Sequence, residues 1–292
     1  MRLLLLGCTG LVGRELVPQL LAAGHTLTVV SRQQRQLAGV TCLHADPSRS
    51  ESWAAGSALQ QALEQAEGVV NLAGEPIAEK RWTPAHLEVL RRSRIDTTRH
   101  LVAAINASAT PPQVLVSASA VGFHGTSETA SFNEDSPAGA DVLGKLCAQW
   151  EAAAQEVNPG TRLVITRIGI VLAADGGALG KMLPIFRAGF GGPIGSGQQW
   201  MSWISRTDLC QLISAALGDE AFAGIYNATA PNPVSMREFC SELGRALQRP
   251  SLLPVPGPIL KLLLGDGAAV VLEGQRVLPQ RLEQEPSFAF AK

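Results

Sequence analysis

The sequence predicts an α/β fold built on a doubly wound parallel sheet, followed by a small C-terminal substrate lobe. Three observations predict it. Short apolar runs alternate with helix-period segments through the first 172 residues. A glycine-spaced turn, GCTGLVG, follows directly on the first apolar run. After Leu172 the texture changes to a stretch rich in glycine and aromatics, ADGGALGKMLPIFRAGFGGPIGSGQQWMSW, which reads as a loop-rich lobe over a ligand cleft.

RLLLL (2–6) is the first strand, too short an apolar run for a signal-peptide core or a membrane span. GRELVPQLLAAG (13–24) is a helix that stops at Gly24. HTLTVV (25–30) and GVTCLHAD (39–46) read as strands, SWAAGSALQQALEQAE (52–67) as a helix, and GVVNLAG (68–74) as the next strand. One long helix lies within PAHLEVLRRSRIDTTRHLVAAINAS (84–108), and the strand QVLVSASA (113–120) follows. LGKLCAQWEAAAQEV (143–157) is helical and leads into a single strand, RLVITRIGIVLA (162–173). ISRTDLCQLISAALG (204–218) is a helix capped near Thr207 or Asp208, and GIYNATA (224–230) is a late strand. MREFCSELGRALQRP (236–250) is a helix closed by Pro250. PGPILKLLLGDGAAVVL (256–272) is apolar, but Lys261, Asp266 and three glycines interrupt it; a packed amphipathic helix with a turn fits it better than a membrane segment. Strands alternating with helices favour right-handed crossovers. The domain reading is residues 1–172, with 205–230 returning to the same sheet, and a lobe from 173–204 and 231–292.

Composition narrows the function. The chain is 46% hydrophobic and carries a formal net charge of −1, with no basic stripe to hold nucleic acid. Its five cysteines are widely spaced and form no CxxC pair or Cys/His cluster, so neither a metal site nor a disulfide framework is expected. A reducing, cytoplasmic setting and a monomer or homodimer are the corresponding expectations.

Gly7, Gly10 and Gly13 stand where a strand turns into a helix. Such a turn needs one glycine for its tight geometry, one for close approach of the backbone to a pyrophosphate, and one for helix–strand packing. The helix N-terminus then meets the phosphates with free N–H groups. This is a Rossmann-type dinucleotide site. The next strand ends in VVSRQQR (29–35), where NAD sites usually carry an acid for the ribose 2′-hydroxyl. Ser31, Arg32 and, one turn further, Arg35 suit a 2′-phosphate instead, so the expected cofactor is NADP(H). Asp46 either contacts adenine or caps a turn.

GCTGLVG, NLAGEPI (71–77), SASAVGFHG (117–125), RIGIVL (167–172) and WMSWISRTDL (200–209), read in order, make the chain resemble the short-chain dehydrogenase/reductase superfamily. It looks like the atypical extended branch called nucleoside-diphosphate-sugar epimerase-like, in a subfamily with NLAGEPI…RW, SRI…TT and GGPIGSG motifs. VLEGQRVLPQRL (271–282) matches the ending of that subfamily's small C-terminal domain of undefined function. The resemblance implies that Gly7, Thr9, Gly10, Leu11 and Val12 cradle the pyrophosphate and that Ser31 and Arg32 take the 2′-phosphate. Leu72, Ala73 and Gly74 would pass beneath the ribose, and Ser117 to Ser119 would lie beside the nicotinamide, Ser119 matching the catalytic serine.

The superfamily's catalytic tyrosine has no counterpart. Its place, three or four residues before Lys145, holds Asp141 or Val142, and the chain's one tyrosine is Tyr226. Lys145 either holds a ribose or is a solvated helix lysine. Three groups are candidates for the missing acid or base: Glu75, which equally suits a helix-entry cap, then His124, then Asp141. Trp82 and Arg94 are expected at the same mouth, Arg94 to grip an anionic substrate. Trp200, with Trp203, either roofs a planar or sugar-like ligand or packs a loop. Two functions follow: an NADP(H)-dependent oxidoreductase or epimerase with a non-standard acid/base, acting on a sugar-nucleotide-like or small carbonyl substrate, or a non-catalytic NADP(H)-binding regulatory or scaffold protein.

Overall fold

The structure, a computed structural model, describes residues 1–291. In chain order the first half runs β1 (Arg2–Leu6), α1 (Gly13–Ala22), β2 (Thr26–Ser31), β3 (Thr41–His44), α2 (Ala58–Glu64), β4 (Gly68–Asn71), α3 (Pro84–Arg91), α4 (Thr97–Ala107), β5 (Val114–Ala120), β6 (Ser131–Phe132) and α5 (Val142–Gln155). The second half runs β7 (Arg162–Ile168), β8 (Ile170–Ala173), α6 (Gly177–Arg187), β9 (Trp200–Met201), β10 (Trp203–Ser205), α7 (Arg206–Gly218), β11 (Gly224–Ala228), β12 (Val234–Ser235) and α8 (Met236–Leu247). It closes with α9 (Gly257–Leu264), α10 (Ala269–Leu272), β13 (Arg276–Val277) and α11 (Gln280–Glu283).

Seven strands form one parallel sheet in the order β11-β7-β5-β4-β1-β2-β3. The order reverses direction at β1, between β2 and β4, and there an open α/β sheet leaves a crevice at its strand ends. Period-two alternation splits the apolar run of β1 between two faces. Leu3 and Leu5 pack with Leu16 and Leu20 of α1 and Leu209 and Ile213 of α7. Leu4 and Leu6 pack with Leu59 and Leu63 of α2 and Leu101 and Ile105 of α4. A strand covered on both sides therefore reads as an unbroken apolar run.

Several elements differ from the sequence reading. The expected helix over 84–108 is two helices joined by a π-helical turn at Arg92–Asp96. The strand expected over 162–173 breaks at Gly169, where a Cβ would lie 2.5 Å from the Ser202 carbonyl oxygen. Beyond the break, β8 leaves the main sheet to pair with β10. The segment expected to be loop-rich contains α6, hidden in the sequence by Gly177, Gly180 and Pro184. The N-cap of α7 is Ser205, whose side chain accepts from the Asp208 N–H, rather than Thr207 or Asp208. In the stretch 256–272 no residue of α9 is buried, and Ile259, Leu262 and Leu263 are exposed.

A small separate core of Phe186, Met201, Met236 and Cys240 joins α6, β9 and α8. Residues 205–230 supply α7 and β11 to the main layer. The end of the chain, read from sequence as lobe, crosses back: β13 pairs with β6, and Leu282, Phe288 and Phe290 pack on the main core.

Behind the C-terminal ends of β5 and β7 lies a buried ion pair. Arg167 of β7 grips Glu151 of α5 through Nε–Oε1 and Nη2–Oε2 contacts of 2.9 Å each. Both side chains are at most 4% exposed. The remaining guanidinium nitrogen, Nη1, donates to the Glu134 carbonyl, and the guanidinium lies 3.5 Å over the Phe123 ring. Removing one partner of such a pair leaves an uncompensated buried charge, so Arg167→Met is expected to cost about 3–5 kcal/mol. Urea unfolding of the purified variant measures it; a midpoint like that of the parent would contradict this account.

Candidate functional site

The glycine turn lies at the switch point. Leu6 of β1 pairs in register with Val30 of β2 on one side and Asn71 of β4 on the other. Gly7 therefore has Ser31 on one flank and Leu72 on the other. Its φ is +74°, and a Cβ there would fall 2.4 Å from the Leu72 carbonyl carbon. Gly13 is as constrained: its Cβ would fall 1.8 Å from the Cys8 carbonyl oxygen. Gly10 is different. A Cβ there would meet nothing nearer than the Gly7 carbonyl oxygen at 3.9 Å, so its outer face is open. Helix α1 starts directly beyond, and its N-cap, Val12, supplies no side-chain hydrogen bond. Two glycines are consumed by the fold and the third leaves space before an uncapped helix N-terminus, which fits a phosphate-bearing ligand. Thr9, Leu11 and Val12 complete the turn.

At the end of β2, Ser31 is buried and its hydroxyl accepts from the Gln33 N–H. Arg32 and Arg35 are exposed, Arg35 bonded to the Gln33 side chain. Asp46 caps a turn by accepting from the Ser48 N–H and hydroxyl.

From this turn a cleft of about 610 Å³ opens across the ends of β4, β5 and β7. Val12, Leu72 and Gly74 carry its lining back to the glycine turn. Helix α5 forms one wall. Its residues Val142, Leu143, Leu146, Cys147 and Trp150 line the cleft, as one face of a helix must. Lys145 projects from the opposite face and is exposed, so a ribose contact from Lys145 does not fit this arrangement.

Ser119 lines the cleft from the end of β5 and donates its proton to Glu151 Oε1 at 2.6 Å. Ser117, two residues earlier, is fully buried, and its hydroxyl has no partner among the described residues. Trp82, Arg94 and Trp200 all line the cleft, Trp82 with its indole N–H on the Ile77 carbonyl and Trp200 with its own on the Glu128 carbonyl. Trp203 bonds the Asn232 carbonyl and is not among the lining residues.

Two of the three acid/base candidates lie elsewhere. Glu75 does not line the cleft; it pairs with Arg32 at 3.4 Å and Lys80 at 3.2 Å. Burial would raise its pKa, but Lys80 and Arg32 outweigh that and hold it below the ordinary carboxylate value. Such a carboxylate is a counter-ion for Arg32 rather than a proton donor. His124 is buried behind the cleft, stacked on Phe132 and edge-on to Phe123. Burial, aided by the nearby Arg167 charge, lowers its pKa from 6.5 to about 4. It is a neutral core histidine, and only its glycine-flanked loop made it look like part of a site. Asp141 does line the cleft, but its Oδ1 accepts from the Gly144 N–H and so caps α5. Tyr226 is buried on β11 under Arg281.

Trp150, Glu151, Arg167 and the π turn escaped the sequence reading. The one available signal was a charged residue next to tryptophan on the apolar face of the 143–157 helix.

A family model described as the NAD dependent epimerase/dehydratase family matches residues 3–228, and a domain of unknown function matches residues 255–291. The chloroplastic epimerase family protein SDR39U1 homolog of Arabidopsis thaliana is 46% identical over 284 residues, covering 95% of this chain and 80% of its own. Human epimerase family protein SDR39U1 is 38% identical over 285 residues, covering 96% and 92%. A crystal structure of the human protein with NADPH superposes with a TM-score of 0.89 and 36% identity, covering 100% of this chain and 96% of that one. Among the described residues no helix is long and apolar enough to cross a membrane and no cluster of metal-ligating side chains occurs.

Two outcomes follow from this geometry. Gly10→Val is expected to fold with a near-parental thermal midpoint and to lose NADP(H) binding. Gly13→Ala is expected to lose about 1–3 kcal/mol of stability by overpacking. Paired thermal melts and NADPH titrations separate the two roles, and a Gly10→Val protein that binds normally would reduce Gly10 to a turn residue. His124 supplies a pH test. Its folded pKa is depressed, so its contribution is complete above about pH 6.5 and is lost as the pH falls from there towards 4. Urea midpoints are expected to fall between pH 7 and pH 5 in the parent and to fall less in His124→Gln; equal slopes would show that another group carries the titration.

Proposed function

The chain belongs to the NAD-dependent epimerase/dehydratase family, and we propose that it is an NADP(H)-binding oxidoreductase or epimerase that works without the usual tyrosine. The observation that carries the cofactor choice is the glycine turn itself, with Gly10 open before the uncapped start of α1 and with Ser31 at the end of β2, followed by Arg32, flanking Gly7. The relative crystallised with NADPH supports it. Gly7, Thr9, Gly10, Leu11, Val12 and Gly13 would hold the pyrophosphate, Ser31, Arg32 and Arg35 the 2′-phosphate, and Leu72, Ala73 and Gly74 the ribose. Bound NADP(H) supplies hydride transfer.

Ser119 is the hydroxyl that this chain offers at the reacting end of the cleft. The α5 wall of the cleft offers Val142, Leu143 and Leu146, which neither give nor take a proton. Cys147, the thiol on that wall, is pushed up to about 12 by burial and stays protonated. Because Glu151 takes the Ser119 proton, the serine presents lone pairs to the cleft and so holds a ligand O–H or N–H. That geometry orients an alcohol for oxidation better than it protonates a carbonyl. It also gives a second reading its support, a protein that binds NADP(H) and senses it without turnover.

Arg32 decides the cofactor test. Its guanidinium, freed from Glu75, would pair with the 2′-phosphate, a charged hydrogen bond of about 1.5–3 kcal/mol. Arg32→Ala is therefore expected to weaken NADPH binding about ten- to a hundredfold and to leave NADH unchanged. Calorimetric titration of both nucleotides measures this, and an unaltered preference would remove Arg32 from the site. Reduction of NADP⁺ by a panel of small alcohols, followed by nicotinamide absorbance, tells the enzyme from the sensor.

A further inference from the structure

Arg94 is the one cation among the described residues that line the cleft. It sits in the π turn between α3 and α4, a local widening of the helix that recurs at functional sites. Its guanidinium donates to the Glu75 carbonyl at 2.9 Å, the Leu90 carbonyl at 3.3 Å and the Ser93 hydroxyl at 3.4 Å. No carboxylate pairs with it among the described residues. It lies 5.4 Å from the Trp150 ring and closes against Gly74, where a Cβ would meet its Cζ at 3.1 Å. Burial draws its pKa below the ordinary value. A guanidinium held this way keeps part of its desolvation cost, because the nearby Glu75 carboxylate is in contact with Arg32 and Lys80 instead, so an incoming anion gains more here than at a surface arginine.

The rest of the cleft restricts what that anion can be. Its walls are apolar along Leu72, Val142, Leu143, Leu146 and Ile168, with indoles of Trp82, Trp150 and Trp200 around them. The other charged lining groups are Asp141, Asp266 and Glu273, all exposed carboxylates. One half-buried positive charge, an apolar bed and a negative rim are mismatched to a sugar nucleotide, whose diphosphate carries two charges and whose sugar needs many polar partners.

We infer that the cleft takes an amphipathic monoanion, its carboxylate on Arg94 and its apolar body between α5 and the indoles. The inference rests on the proposed reading of the cleft as the substrate site. Under that reading the donor group that Ser119 accepts lies on the same molecule, so the substrate class is an apolar hydroxy acid or its oxo counterpart.

Decanoate and decanol serve as probes, because they share the apolar body and differ in the charged head; UDP-glucose is the third. Calorimetry of each against the full-length protein is expected to show decanoate binding at least tenfold more tightly than decanol, and UDP-glucose more weakly than decanoate. Arg94→Gln is expected to erase the difference between decanoate and decanol, and Arg94→Lys, which keeps the charge, to retain part of it. NADPH titrated in the same samples is expected to bind both variants as it binds the parent. Equal binding of decanoate and decanol by the parent protein overturns the inference, as does tighter binding of UDP-glucose or a preference that survives in Arg94→Gln. Should Arg94→Gln fail to fold, the parent and Arg94→Lys comparisons still decide. Loss of NADPH binding in the parent with the decanoate preference intact would overturn the cofactor reading alone.

Discussion

The contact between Arg167 and Glu151 is the constraint on which the functional end of the molecule depends. It is bidentate and buried, and it ties β7 to α5 at the strand ends. An ion pair this deep repays its desolvation only when the remaining hydrogen-bonding positions are also satisfied. Here they are: the spare guanidinium nitrogen goes to the Glu134 carbonyl, and the carboxylate also takes the Ser119 proton. The stacked Phe123 ring closes the guanidinium face. Four segments, from β5, β7, α5 and the stretch before α5, are thus brought into register by one polar cluster, and α5 is left with its apolar face turned to the cleft.

A second polar cluster works the same way on the other side. Thr98 of α4 accepts from both the Asn71 amide and the Trp150 indole. Asn71 in turn accepts from the Ala73 N–H, which shapes the chain as it leaves β4. The π turn lies just before Thr98 and aims Arg94 at the space between Gly74 and Trp150. Helix α4, the loop after β4 and helix α5 are therefore coupled through two hydrogen bonds to a single hydroxyl. The glycine turn and the cleft share this scaffold, and Val12, Leu72 and Gly74 line the cleft where the two meet.

The elements that the sequence made legible are those whose cause is local. Four leucines in a row name a strand buried on both faces, and the alternation of such runs with helical periods names the parallel sheet. The spacing of Gly7, Gly10 and Gly13 names the turn, although not that Gly10 alone is open. Residues at the ends of strands were also legible: Ser31, Arg32 and Ser119 stand at the C-terminal edge because β2 and β5 end there. The cleft residues Trp82, Arg94 and Trp200 were named from motifs. What failed were roles that depend on which neighbour a side chain meets. Glu75 and His124 have suitable chemistry in suitable loops, yet one faces Arg32 and Lys80 and the other two phenylalanine rings.

The sequence by itself determined the sheet, the phosphate turn, the absence of a phenol near residue 142 and the family, because periodicity, glycine geometry and motif order are properties of the chain read in one dimension. Only the tertiary structure decided that Lys145 points outward, that Gly169 diverts β8 from the sheet, and that Glu151 meets Arg167 across 16 residues of sequence. It also decided that among the described residues no carboxylate is in contact with the Arg94 guanidinium. The reason is physical: the charge state and direction of a side chain depend on its dielectric surroundings and partners, and those come from segments that the sequence sets far apart.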